Sequence, residues 1–354
     1  MSERNIDTFA GRIQEEIISG MSCLTLYIGH RLGLFKALAD AGPVTSDELA
    51  KQSGLNERYI QEWLECMAVN EYLHQDAETG RFSLPPEYAP ALVDIDNPYY
   101  VAPLSSYIPW MSAPIKLILD AFRSSGGVPY EAYVEDEDIF DDVGMSTRGI
   151  YVNNYVHKWI PTMPDIKKRL ESGARVADIG CGTGWSSIVL AKGFLNVHID
   201  AVDADEKSIQ QARANAHKEG VSGQIEFHHS TAEDMALKGP YVLVTSFICI
   251  HDMAYPVKAL SRIREITAPD GAVLIGDMAV SDNLSENYNF WGRFCYNASV
   301  LHCLPQSMVF PGSAATGTLM GPGKLQQFAS EAGFRKMEVL PIENPFWRFY
   351  RLTP

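Results

Sequence analysis

Basic charge is scarce in this chain: 29 Lys and Arg stand against 44 Asp and Glu, a formal net charge of -15. A surface that acidic is repelled by phosphate backbones, so a nucleic-acid partner is not expected. Paired cysteines are missing as well. Cys23, Cys66, Cys181, Cys249, Cys295 and Cys303 form no CxxC and no even framework. That excludes a zinc finger or a disulfide scaffold and fits a reducing compartment. No uninterrupted apolar run is long enough to span a bilayer. The best, Tyr100–Phe122, is broken by Pro103, Pro109 and Pro114 and carries Lys116 and Asp120. The first residues mix charges and lack the apolar core of a signal peptide. A cytoplasmic protein without a membrane partner is the expectation. Internal repeats and low-complexity tracts are absent too. What is present is apolar material, 46% of 354 residues, enough for two cores.

Residues 1–90 read as helices followed by a hairpin. LGLFKALADAG has helical apolar spacing and ends on Gly42; VTSDELAKQSG opens on Thr45 or Ser46 as a cap and stops at Gly54. NERYIQEWLECMAV sets Ile60, Trp63, Leu64 and Met67 on one face, and EYLHQDAETGRFSL reads as two short strands around Thr79-Gly80. This outline is a winged helix. Its charge argues against DNA: residues 1–85 hold seven Lys/Arg and thirteen Asp/Glu, and the would-be groove helix offers Arg58 against Glu57, Glu62 and Glu65. A dimerisation or substrate-covering role is expected instead.

Residues 91–165 read as a linker or substrate cap, rich in Pro, Tyr and Trp. Its acidic run VEDEDIFDD, 134–142, lacks the glycine and ligand spacing of a calcium loop and is expected to be a solvated loop. From 166 onward strands and helices alternate, the mark of an open α/β sheet. The strands are RVADIG, NVHIDAVDA, QIEFHHS, YVLVTSFICI and AVLIGDM, the last after a turn at APDG; an irregular insert, the helix GKLQQFASEAGF and a terminal hairpin, MEVLPIE with WRFYRL, follow.

Between the first strand and its helix stands VADIGCGTGWSS. A dinucleotide fingerprint would want its third glycine at Trp185, and a phosphate loop would need Gly-Lys-Ser/Thr; neither is present. The spacing D-x-G-x-G-x-G, with Asp178, Gly180, Gly182 and Gly184, resembles the first motif of class I S-adenosylmethionine-dependent methyltransferases. The resemblance extends along most of the chain. It covers FICIHDM through LIGDM, SVLHCLPQSM, GSAATGTLM and the ending ENPFWRFYRL, and is similar to methyltransferases that carry an N-terminal winged helix.

That family implies a Rossmann-like seven-stranded sheet with its last strand antiparallel and an N-terminal winged-helix dimerisation domain. The expected domains are 1–90, 91–165 and 166–354. The cofactor implied is S-adenosylmethionine, leaving as S-adenosylhomocysteine; no metal is expected, because neither the scattered cysteines nor His228-His229 have further ligands at suitable spacing. Asp203, ending the second strand, is placed to accept from the ribose hydroxyls. Where the family usually has an Asp for the adenine amine this chain has Thr231, which leaves adenine to Thr231, the backbone at Ala232, or Glu233; Ser246 is assigned to the cofactor as well. The family's His-Asp pair after the fourth strand matches His251-Asp252, with the His as base toward an oxygen acceptor. Asp252 either orients the ring or caps the next helix, the cap being preferred. Trp291, Phe294 and His302 are expected to line the acceptor pocket, and Trp110, Trp159 and Trp347 hint at an aromatic one. A small molecule and a second copy of the chain are the expected partners. Two other classes bear weighing. An S-adenosylmethionine-sensing winged-helix regulator is the alternative function. A DNA amino-methyltransferase would need an Asn-Pro-Pro-Tyr-like motif, and NPYY at 97–100 lacks the second proline.

Overall fold

The computed structural model describes residues 5–134 and 139–354. The acidic residues 135–138 named above lie outside the described residues. The chain divides into two compact units, Met1–Trp110 and Met111–Pro354. The segment 91–165 is therefore split at Trp110, its larger part belonging to the second unit. No helix among the described residues is long and apolar enough to cross a membrane.

In the first unit, helices α1 (Ile6–Arg31), α2 (Leu34–Ala41), α3 (Ser46–Ser53) and α4 (Glu57–Val69) lead to the hairpin β1 (His74–Gln75) and β2 (Phe82–Ser83). The cap at Thr45 was legible. Thr45 and Glu48 form a reciprocal capping box at α3, and the side chain of Asn56 accepts from the first amides of α4. Leu34, Leu38, Leu49, Leu64 and Met67 close the core with Phe82 from the wing. Arg58, the one basic residue of α4, is paired with Glu62 on the same helix. The NPYY segment forms a turn in this unit, Asn97 Oδ1 accepting from the amide of Tyr99.

The second unit holds a seven-stranded sheet of β3 (Arg175–Ile179), β4 (His198–Asp203), β5 (Ile225–His229), β6 (Tyr241–Phe247), β7 (Thr267–Met278), β8 (Lys336–Val339) and β9 (Trp347–Thr353). Their order is β5-β4-β3-β6-β7-β9-β8, with only β9 running against its neighbours. Alternation along each strand divides the apolar residues between two cores. Val176, Leu243 and Leu274 face the helices Trp185–Gly193 and Glu206–Lys218, whereas Ala177, Val244 and Val273 face Pro256–Ile266 and Pro322–Glu331. Helices on both faces make a doubly wound sheet, and the strand order reverses beside β3, where such sheets bind ligands.

Four expectations are corrected. The APDG turn is absent, because residues 267–278 run as one strand with a register shift against β6. The irregular insert is largely helical: Asn289 caps Phe290–Ala298 by accepting from the amide of Gly292, and further turns reach Ser307. IFDD is not a solvated loop, since Ile139 and Phe140 are buried at the start of the helix Ile139–Asn154, as is Asp142. Trp159 and Trp347 are core residues, buried among Tyr151, Phe247 and Phe349, and not walls of an acceptor pocket as the sequence hinted.

Candidate functional site

The glycine turn carries the first half of the site. Gly180, Gly182 and Gly184 all have positive φ, at 75°, 51° and 84°, a region that L side chains avoid. Each glycine has its own reason. A Cβ on Gly180 would stand 2.1 Å from Cys249 Sγ, and one on Gly184 3.1 Å from Ala212 and Phe227, whereas the space beside Gly182 is open for 4 Å. Beneath the turn Asp178 is buried and accepts from Ser186 and Ser187 on one oxygen and from Thr245 on the other, at 2.5, 2.7 and 2.8 Å. It ties the first strand to the start of the helix and to β6. Trp185, in the fingerprint's third-glycine place, lies under the Arg148 guanidinium, 3.9 Å from its ring centre.

Asp203 closes the turn from β4. Its Oδ2 accepts from the amide of Gly182 at 2.7 Å and its Oδ1 from that of Asp205 at 2.9 Å. Burial pushes its carboxyl above the usual carboxylate range although both amide bonds work to lower it. The nearby hydroxyl of Tyr130 is likewise pushed up, first by burial and then by the charges of Asp205, Asp203 and Asp252. Negative charge thus collects around the open face of Gly182. Among the described residues the buried hydroxyl of Thr183 has no hydrogen-bond partner, and that of Ser246 has only the Cys249 thiol beside it. An open glycine face, converging carboxylates and an idle donor fit a ligand that is cationic and polar, as a sulfonium nucleoside is. Thr231 is exposed and bonded to Asp234, through the Asp234 carboxylate and amide, and Ala232 is buried beside it.

The second half lies past β6. Ile248 is forced to a φ of 51°, strained for a β-branched residue, and its amide is held by the carbonyl of Gly276. The short helical turn Ile250–Asp252 that follows buries His251. Its Nδ1 lies 2.5 Å from Asp277 Oδ1, at the end of β7, and its Nε2 lies 3.4 Å from Asp252 Oδ1. Burial acts to lower the pKa of His251, but Asp252 and Asp277 outweigh it and hold the imidazole well above its ordinary value. The capping role expected for Asp252 is overturned: the next helix begins after Tyr255 with no side-chain cap. Asp277 was missed. Its signal was an acid closing an otherwise apolar strand at the edge where His251 sits.

The insert supplies the wall. The turn Ser299–Cys303 carries His302 and Cys303, and Cys303 Sγ lies within 4.8 Å of the ligating atoms of His251 and Asp252. His302 is gripped edge-on by Tyr133, at 4.7 Å between ring centres, with Tyr130 at 6.2 Å; burial drives its pKa down to about 4. Trp291 packs on Phe346, at 3.8 Å, and more loosely on Phe294. The helix bearing both also carries Cys295, whose thiol is pushed up to about 11, first by burial, with His251 and Asp277 close enough to act on it in opposite senses. All of these residues belong to the second unit.

A doubly wound seven-stranded sheet with a glycine turn after its central strand and an acid ending the next one defines the class I methyltransferase fold. A family model described as a methyltransferase domain matches residues 170–333, and one described as the Rv2258c-like winged HTH domain matches residues 20–93. The chain belongs to the class I S-adenosylmethionine-dependent methyltransferases that carry an N-terminal winged-helix domain. It is 25% identical over 185 residues to the ubiquinone biosynthesis O-methyltransferase of Aromatoleum aromaticum, covering 51% of this chain and 73% of that one. To the enzyme of the same description in Caulobacter sp. it is 32% identical over 108 residues, 30% of this chain but only 41% of the relative. The crystal structure of human N-acetylserotonin methyltransferase in complex with SAM is similar over 100% of this chain and 99% of that one, with TM-score 0.73 and 16% identity. At that identity the likeness is one of fold.

Proposed function

We propose that the protein transfers the methyl group of S-adenosylmethionine to a small-molecule acceptor at oxygen, with His251 as general base and Asp277 as the carboxylate that orients it. The observation that carries this reading is the 2.5 Å bond between His251 Nδ1 and Asp277. A proton kept on Nδ1 leaves Nε2 as the acceptor, and the carboxylate steadies the imidazolium that forms. The cofactor supplies an electrophilic methyl group for in-line displacement. Gly180, Gly182 and Gly184 let the backbone approach it, Asp203 takes its ribose hydroxyls, Asp178 holds the turn, and Thr231, Ala232 and Ser246 complete the pocket. His302, Trp291 and Phe294 wall the acceptor and exclude water. Holding both reactants in one geometry supplies much of the rate. The names of the relatives, O-methyltransferases and a methyltransferase of N-acetylserotonin, support an acceptor of this kind. Six free cysteines suit work in the reducing cytoplasm. Offered methyl-labelled donor and a fractionated extract, the protein is expected to place label in a small organic product. Label found solely in nucleic acid or protein contradicts the proposal.

The pH profile tests the base. Since Asp252 and Asp277 hold the His251 pKa above its ordinary 6.5, neutral Nε2 is gained only as pH rises. Turnover should therefore climb along a limb lying on the alkaline side of 6.5. In Asp277→Asn one stabilising carboxylate is gone, so the limb should move to lower pH while the plateau falls. A limb that stays in place removes Asp277 from this role.

The first unit serves as a dimerisation module. Ile6, Phe9, Ile13, Ile17, Leu24 and Ile28 recur at three-, four- and seven-residue steps along α1 and are 41–75% exposed. An apolar stripe of that length is stable in water when a second copy covers it. Light scattering is expected to give twice the chain mass, and Ile13→Asp with Ile17→Asp to give the monomer. A monomeric native protein contradicts the module.

A further inference from the structure

Three donor atoms of different chemistry converge beside the base. A ring nitrogen of His251, a carboxylate oxygen of Asp252 and Cys303 Sγ all lie within 4.8 Å of one another. They come from two places in the chain, the turn after β6 and the insert fifty residues on, so no short spacing betrays them. The Cys303 thiol is in hydrogen-bonding contact with His251 and lies 3.7 Å from His302 Nδ1, bonds a cation would replace. The His251 Nε2 to Asp252 Oδ1 separation is 3.4 Å, and that buried carboxylate oxygen has no hydrogen-bond partner. His251 and Cys303 are buried, whereas the Asp252 side chain keeps 29% of its surface and so marks the way in.

A second feature points to a cation. The other nitrogen of His251 is fixed by Asp277 at 2.5 Å. An imidazole held by a carboxylate on one nitrogen and open on the other is how metal-binding histidines are oriented. Imidazole, carboxylate and thiolate are the three ligand types that zinc takes, and three protein ligands leave its fourth position open. In a tetrahedral site with bonds of about 2.0–2.3 Å the ligand atoms stand roughly 3.3–3.8 Å apart. The His251 Nε2 to Asp252 Oδ1 separation of 3.4 Å already falls in that range.

We propose that His251, Asp252 and Cys303 form an inhibitory site for a zinc-class divalent cation. The expectation of no metal, drawn from the lack of ligand spacing in the sequence, is set aside for these residues. On binding, the thiol proton and any proton on Nε2 leave to solvent, and the cation takes the thiolate, the imidazole lone pair and a carboxylate oxygen. No electron changes hands. The lone pair meant for the acceptor's proton is then occupied, and methyl transfer stops until a chelator removes the ion. The inhibitory consequence rests on the proposed role of His251 as base; the binding itself does not.

The test titrates the full chain with Co²⁺ and then Zn²⁺, following absorption and heat. One ion per chain is expected, with a thiolate-to-cobalt band that zinc abolishes. Cys303→Ser should lose the band and bind zinc at least about tenfold more weakly, and Asp252→Asn should weaken it by a similar factor. In the methyl-transfer assay zinc should compete with the acceptor, and Cys303→Ser, measured against its own zinc-free turnover, should need about tenfold more zinc for half-inhibition. No stoichiometric ion, or binding unchanged in Cys303→Ser, overturns the site. Binding through the triad with turnover unaffected overturns the inhibition. A protein with the cobalt band but no methyl transfer under any condition keeps the site and rejects the role of His251 as base.

Discussion

His251→Ala is expected to lower turnover about a thousandfold while changing S-adenosylmethionine affinity by no more than about twofold. The two halves of that expectation have separate causes. A hydroxyl is a poor nucleophile until its proton has a place to go, and general bases contribute roughly a hundred- to ten-thousandfold. Within the second unit His251 is the buried imidazole with a carboxylate on Nδ1, and His302, the other histidine at the site, has its basicity suppressed by burial. Little is left to replace it. The glycine turn and Asp203, by contrast, stand at the ends of β3 and β4, where Asp203 accepts from the amides of Gly182 and Asp205, so the cofactor should still dock. Stopped single-turnover kinetics with labelled donor read the first half, and equilibrium dialysis the second. Turnover within a few-fold of the native value would move the base elsewhere. A parallel loss of affinity would mean that the variant had disturbed the turn.

Asp203→Ala carries the second large effect, this time on binding. Its carboxylate now accepts from the amides of Gly182 and Asp205, and in the proposed complex it also accepts from the ribose hydroxyls. Hydrogen bonds to a charged acceptor are worth about 1.5–3 kcal/mol each. Losing the sugar contacts and the anchor of Gly182 together should raise the Kd for S-adenosylhomocysteine by about a hundredfold or more. The strand itself should survive, because the register of β4 with β3 and β5 rests on backbone bonds and on Ile199, Ala201 and Val202. Circular dichroism should therefore show a folded protein that no longer holds its ligand. Unchanged affinity would detach Asp203 from the ribose.

Much of this was legible in the sequence for a physical reason. Strand and helix periods separate cleanly from residue 175 onward, and glycines in a strand-to-helix turn announce backbone that no other residue tolerates. Thr45, Gly42 and Gly54 punctuate the winged helix with equal clarity, whereas the cap at Asn56 emerged only from the structure. Asp277 was harder, since an acid ending a strand reads as ordinary solvent exposure until the fold lays it against His251. His251 and Cys303 are joined only by tertiary packing, fifty-two residues apart. Aromatic residues carry no positional signature, so Trp159 and Trp347 could not be told from pocket walls. Asp252 read as a cap because an acid just ahead of a helix usually is one; the helix in fact starts without a side-chain cap.

Calorimetry of the purified full chain with S-adenosylhomocysteine bears most directly on the central claim that the glycine turn and Asp203 together receive a sulfonium nucleoside. One ligand per chain is predicted, with the heat lost in Asp203→Ala. Silence with both the donor and its demethylated product, alongside a clear signal from a nicotinamide dinucleotide, would contradict it.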